Sequence, residues 1–139
     1  MALTMIQKIR RAETAMREMP QVELETKHYF ADGMYAREVF RPAGTFIIGK
    51  VHKREHFYIV TKGAVQVASA DGLQIYEAPA VVVSKPGTKR AVLALEDSVC
   101  MTVHRTDNTD LDAIEKELIE EDQRTLYDAA NHLKRRALP

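Results

Sequence analysis

Five side chains have the types and spacing to do chemistry. His52 and His56 lie four apart in GKVHKREHFYIV, Lys50 lies just before them, Arg90 follows a Pro-Gly turn, and His104 is the last residue but one of the run SVCMTVHR. Neutral imidazoles ligate divalent metals, whereas Lys and Arg recognise anions. If the last strand runs antiparallel to the one beginning at His56, His104 falls near His56. A three-histidine site (His52, His56, His104) with an open position for one divalent ion then becomes conceivable. It requires all three to face inward, and strand alternation leaves open whether Val99, Met101 and Val103 do so instead. A second arrangement uses Lys50, Arg90, Lys89, His52 and His56 as a cationic pocket for a carboxylate or phosphate. In a third, these groups are polar residues at the mouth of a barrel, hydrogen-bonded to Glu55, Glu96 or Glu38. Lysine is protonated at neutral pH and arginine always is, so Lys50 and Arg90 argue against a resident metal by charge repulsion. The expectation is no cofactor, with one divalent ion as the alternative. His28 and His132 read as surface residues. No catalytic residue is identifiable: no serine has a nucleophile-elbow pattern, and there is no Gly-rich phosphate loop or cysteine pair.

The elements that position these groups fall into three segments. Residues 22–106 read as all-β, with strands at Val22–Thr26, Met34–Phe40, Thr45–His52, His56–Thr61, Ala64–Ala68, Leu73–Glu77, Ala80–Ser84, Arg90–Leu95 and Val99–Arg105. Turn residues separate them, Asp71-Gly72 giving the plainest hairpin signal. Many short strands at regular spacing predict an antiparallel barrel or sandwich. Residues 3–18 predict a helix whose Met5, Ile9, Ala12, Met16 and Met19 form a narrow apolar stripe. Residues 109–136 predict a C-terminal helical arm, kinked or double, capped by Asn108 or Thr109, with Lys134, Arg135 and Arg136 at its end. The two helical segments offer Met5, Ile9, Met16, Leu126 and Leu133 as interface candidates. The partner would be another copy or a different structural protein.

Composition narrows the classes. The 139 residues suffice for one domain with its own core, and 20 basic against 20 acidic residues leave no formal net charge. That balance points away from nucleic-acid and membrane-surface binding. The single cysteine, Cys100, allows no internal disulfide and reads as a small core residue. Nothing resembles a secretory signal, and no apolar run reaches the ~20 residues that span a bilayer. A cytoplasmic protein is expected.

The stretch from Gly44 to Gly63 resembles the first signature of the cupin superfamily. Both glycines are in register, but Lys50, His52 and His56 stand where the family has His, His and Glu. The second signature is matched only at Gly87, with Arg90 in place of its histidine and Ala94 in place of its asparagine. The resemblance implies a cupin or jelly-roll barrel with a degenerate ligand set, hence a non-enzymatic assembly module. The metal-dependent enzyme and the anion binder are the alternatives. FADGMYAREVFRPAGTFIIGKVH through APAVVVSKPGTKRAVLALED also resembles small cupin-type proteins of tailed bacteriophages. That likeness implies a virion location and a tail or fibre-attachment role.

Overall fold

Alternation of apolar and polar residues sets the architecture of the computed structural model, which describes residues 2–134. The chain runs α1 (Met5–Met16), β1 (Thr26–Ala31), β2 (Met34–Arg41), β3 (Phe46–Ile48), β4 (His56–Lys62), β5 (Ala64–Ser69), β6 (Gly72–Glu77), β7 (Ala80–Ser84), β8 (Ala91–Ala94), β9 (Ser98–Arg105) and α2 (Leu111–Leu118). Two antiparallel sheets result, in the strand orders β1-β2-β9-β4-β7 and β3-β8-β5-β6. The side chains that meet between them are Tyr58, Val60, Val65, Val67, Val92 and Cys100. An all-β core with a helix at each end is therefore present. The Lys62–Ala64 corner depends on Gly63: its φ is +79°, and a Cβ there would lie 2.3 Å from Ser98 Oγ and 2.5 Å from the Asp97 carbonyl oxygen.

Several boundaries differ from expectation. The first strand is Thr26–Ala31 rather than Val22–Thr26, because it pairs with β2 through the Asp32-Gly33 turn, from Thr26↔Val39 to Ala31↔Met34. The strand expected over Thr45–His52 is ordered as β only at Phe46–Ile48. Gly49 bonds to the Arg90 carbonyl, and the chain then leaves the sheet to carry Lys50 and His52 inward.

The ends depart further. Thr4 and Gln7 form a reciprocal capping box that starts α1. Ile9 is 3 % exposed, covered by this chain's own barrel, and the helix rests on β5. Glu13 of α1 binds the buried Lys89 ammonium at 2.8 Å. So the centre of the stripe serves the chain's own core, while Met16 borders an open groove and Met19 is exposed. The long C-terminal helical arm is corrected: among the described residues only Leu111–Leu118 of it is helical, capped by Asp110 rather than Thr109 or Asn108. Ile114 and Leu118 pack on Tyr35 and close one end of the barrel. Beyond Ile119 the acidic run Glu120-Glu121-Asp122 interrupts the apolar face, and 119–134 proceeds as turns with a Tyr127↔Leu133 bridge. Leu126 borders the groove, and Leu133 is exposed. Arg135 and Arg136 lie outside the described residues. Among the described residues no helix is long and apolar enough to cross a membrane.

Candidate metal centre and its cavity

Register decides which side chains face the interior. β4 and β9 pair antiparallel at Phe57↔Val103 and Tyr58↔Thr102. Continuing that alternation sets His56 beside His104, with both rings inward. β2 adds Tyr35 opposite His104 and Arg37 opposite Thr102. The inward set of β9 is therefore Ser98, Cys100, Thr102 and His104, not Val99, Met101 and Val103. His52 arrives from the β3–β4 connection, held by a bridge to Ile119 at the end of α2.

The three histidines converge. One ring nitrogen from each of His52, His56 and His104 lies within 4.8 Å of the others. Ring centroids are 4.3 Å apart for His52–His56, 4.4 Å for His56–His104 and 4.9 Å for His52–His104. Tetrahedral ligands at ~2.1 Å from an ion sit about 3.4 Å from one another, slightly closer than this outer bound. The His56 ring is oriented for ligation. Its Nδ1 donates to the Arg54 carbonyl at 3.0 Å, which leaves Nε2 as the unprotonated nitrogen. That Nε2 is buried and finds no hydrogen-bond partner among the described residues. All three imidazoles are held neutral. Desolvation, then the neighbouring His56, His104, Arg37 and Arg90, takes His52 down to about 2. Desolvation, His56 and Arg37 take His104 to about 3, and desolvation with Arg90 lowers His56 against the pull of the Arg54 carbonyl. Neutral imidazole is the form that ligates a metal.

Behind the histidines lies a cavity of ≈ 110 Å³ bounded by Tyr58, Val92, Thr102 and the Tyr35 ring. Four cations also line it, Arg37, Arg41, Lys50 and Arg90, against one carboxylate, Glu115. Of the groups expected in an anion pocket, Lys50, His52 and Arg90 line this cavity, with different engagements. Lys50 is drawn to α2, where it pairs with Glu115 and donates to the Tyr127 carbonyl at 3.0 Å. Lys89 is engaged by Glu13. His52 and His56 belong to the neutral cluster. Arg90 stays on the cavity wall, its guanidinium 4.8 Å from the centre of the Tyr58 ring. Hydrogen bonds from the histidines to Glu55, Glu96 or Glu38 are not formed among the described residues. His28 is no plain surface residue: its Nδ1 meets the Tyr35 hydroxyl at 2.7 Å, and Tyr35 in turn stacks on His104. His132 lies beside Glu23 at the surface.

Sequence reasoning missed Arg37, Arg41, Tyr58 and Glu115. The signal for the arginines was present in MYAREVFR, where period-two alternation puts Tyr35, Arg37, Val39 and Arg41 on one face with a core valine. Burial lowers the Arg37 pKa, and Arg41 adds to the effect, but a guanidinium remains a cation.

Neither a family model nor a curated protein matches the chain at a significant level. Solved structures do match. KdgF from Halomonas sp. superposes with a TM-score of 0.55 at 16% identity, over 63% of this chain and 84% of that one. A cupin-2 domain protein from Shewanella frigidimarina NCIMB 400 gives 0.51 at 14%, over 72% and 98%. The DMSP lyase DddQ from Ruegeria pomeroyi DSS-3 gives 0.54 at 15%, over 63% and 49%. At such identities the likeness speaks to architecture alone, and it agrees with the strand order: this chain folds as a cupin-type, double-stranded β-helix barrel.

Proposed function

We propose that the chain is a metal-dependent cupin-type protein that acts on a small molecule, with His52, His56 and His104 as the ligands of one divalent ion. The observation that carries this reading is the buried, unpartnered Nε2 of His56, its tautomer set by Arg54, in contact range of two further neutral imidazoles. Imidazole-only ligation suits zinc, iron, nickel or copper. Such an ion supplies Lewis acidity and open coordination positions for an oxygen of the bound molecule. The protein's own residues do the rest. Tyr35 and His28 brace the His104 ring, α2 closes the barrel end against water, and the arginines give the cavity its charge.

Three features favoured a non-enzymatic module from sequence: the ligand set, the stripe on the first helix and the C-terminal arm, of which the described residues carry only Leu111–Leu118 as helix. His104 on β9 supplies the third imidazole that this reading needs beside His52 and His56. The helix stripe that looked unpartnered places Ile9 in the chain's own core. Metal titration of chelator-treated protein tests the proposal. About one ion per chain is expected, lost in His104→Ala. No saturable binding by folded wild type would overturn it.

A structural role in self-association or assembly, in a virion or elsewhere, is the second reading, and one observation favours it. Phe57 and Val83 are cross-strand neighbours on β4 and β7, and Ile59 pairs with Val81 beside them. Phe57, Val81 and Val83 are 48 %, 66 % and 53 % exposed, an apolar strip on the outer face of the edge strand β7 and its neighbour β4. Light scattering on wild type and on Phe57→Glu tests it, a larger mass that falls in the variant being the supporting result and a monomer in both the opposing one.

A further inference from the structure

The cavity wall holds polar groups that the histidine centre does not use. Arg37 Nε, Arg41 Nε and Arg41 Nη1 are all buried, and none finds a hydrogen-bond partner among the described residues. Buried donors left unpaired cost about 1–3 kcal/mol each, more when charged, so a fold keeps them only where something else satisfies them. Arg37 and Arg41 project from the same face of β2, four residues and hence roughly 13 Å apart along the strand, and both side chains reach the cavity wall. Arg90 faces them from the start of β8 in the opposite sheet, steadied by the Tyr58 ring. The carboxylate on the wall, Glu115, is committed to Lys50. Among the described residues none of the three cations forms an ion pair with a carboxylate, although Arg37 shares the field of Glu115 with Lys50, and the three imidazoles beside them are neutral.

We infer that Arg37, Arg41 and Arg90 form a recognition subsite for a small dicarboxylate, which places a carboxylate oxygen or an adjacent oxygen toward His52, His56 and His104. This rests on reading the cavity as the place where small molecules meet the histidine centre. Charge sets the class: a neutral ligand can accept from the guanidinium donors but compensates none of their charge, and a monoanion leaves most of it uncompensated. Shape sets the size. An apolar cavity of about 150 Å³ accommodates a benzene, so ≈ 110 Å³ suits a ligand with a short carbon chain. Geometry sets the acid type, since planar carboxylates accept paired N–H donors from a guanidinium edge. A resident divalent ion adds positive charge to the same space, so the dicarboxylate and the ion strengthen each other's binding by the same factor.

The test uses isothermal titration of the full chain at low ionic strength, first free of metal. Malonate and succinate are the probes, with acetate, inorganic phosphate and the neutral diamide malonamide as comparisons. Saturable binding of a dicarboxylate is expected, at least about tenfold tighter than acetate and without detectable malonamide binding. Arg41→Gln, checked for folding by circular dichroism, is expected to weaken it at least about tenfold, with partial recovery in Arg41→Lys. Malonamide binding as well as malonate, phosphate alone binding, or no dicarboxylate binding to wild type would each overturn the subsite. Because the wild-type series needs no variant, a misfolded Arg41→Gln does not spare the inference. Repeating the titration with zinc present separates the two proposals. Dicarboxylate binding in a protein that takes no metal keeps the subsite and removes the metal centre, and the converse result does the reverse.

Discussion

The two ends of the barrel interior are built on the same strands and follow opposite rules. At one end, alternation along β2, β4 and β9 brings Val39, Val60 and Cys100 together with Val65, Val67 and Val92 from the facing sheet. A few residues along the same strands it brings Tyr35, Arg37, His56, Tyr58, Thr102 and His104 together. The first end satisfies itself: apolar surface leaves water and dispersion contacts are made, at about 25 cal/mol per Å² buried. The second end buries imidazole and guanidinium groups whose bonding is incomplete within the chain. The apolar end therefore supplies stability, and the polar end draws on it to hold chemistry in place.

The largest effect should come from putting the wrong chemistry at the apolar end. Val60 is 0 % exposed, so Val60→Asp buries a carboxylate with no partner. A cost on the order of 5 kcal/mol is expected, close to the whole stability of an ordinary domain. Loss of the cooperative thermal transition, or a fall in melting temperature of 20 °C or more, checks it. The matched change at the other end, His104→Asn, should leave the metal-free melting temperature within a few degrees while abolishing metal uptake. Equal losses of stability in both would erase the distinction between the ends. Ile9→Glu should cost about 3 kcal/mol, because Ile9 belongs to this chain's core. Light scattering with a thermal melt separates that outcome from the interface expected from the sequence, which predicts a lower mass at unchanged melting temperature.

Acid should sharpen the comparison next. His52 and His104 are held down to about 2 and about 3, chiefly by desolvation, whereas an unfolded histidine titrates near 6.5. Below that value the unfolded chain binds protons that the folded chain does not. Stability is thus full above about pH 6.5 and falls as pH drops from there toward 3. The slope for each of these histidines is up to about 1.4 kcal/mol per pH unit. Chelator-treated protein should lose melting temperature from pH 6 downward, and His52→Gln/His104→Gln should flatten the decline. An unchanged melting temperature between pH 7 and 5 would contradict it.

How much of this was legible depended on locality. The β5–β6 hairpin came through because Asp71-Gly72 announces it within a few residues, and β7 was placed to the residue as Ala80–Ser84, whereas the strand before Asp32-Gly33 was set too early. His104 could be suspected from antiparallel pairing, but its partnership with His56 is a register fact, fixed by strands some forty-five residues apart. The fate of Lys50 was not legible at all. Its partner Glu115 lies 65 residues away on a helix whose length depends on packing against Tyr35. The arm beyond Leu118 read as helix because Leu126, Ala129, Ala130 and Leu133 keep helical spacing. That spacing went unused where Tyr127 and Leu133 bridge instead. Arg37 and Arg41 were passed over because charged residues on a strand ordinarily point to solvent. Only the valine between them marks their face as the inner one.

The smallest effect concerns Lys50 itself. From sequence it headed the anion pocket, and in the structure its ammonium is matched by Glu115, both side chains being partly exposed at 23 % and 30 %. Such a pair contributes about 0–1 kcal/mol and cancels its own charge as seen from the cavity. Changing one partner alone would leave the other uncompensated, so the informative variant removes both. Lys50→Met/Glu115→Gln should keep the melting temperature within a few degrees and malonate affinity within about threefold. Arg41→Gln, which removes an unmatched cation, loses at least about tenfold in the same titration. If the double variant weakened malonate as much as Arg41→Gln does, Lys50 would be a ligand-binding group after all. The line between cations that close the barrel end and cations that face the cavity would then have to be redrawn with Lys50 on the cavity side.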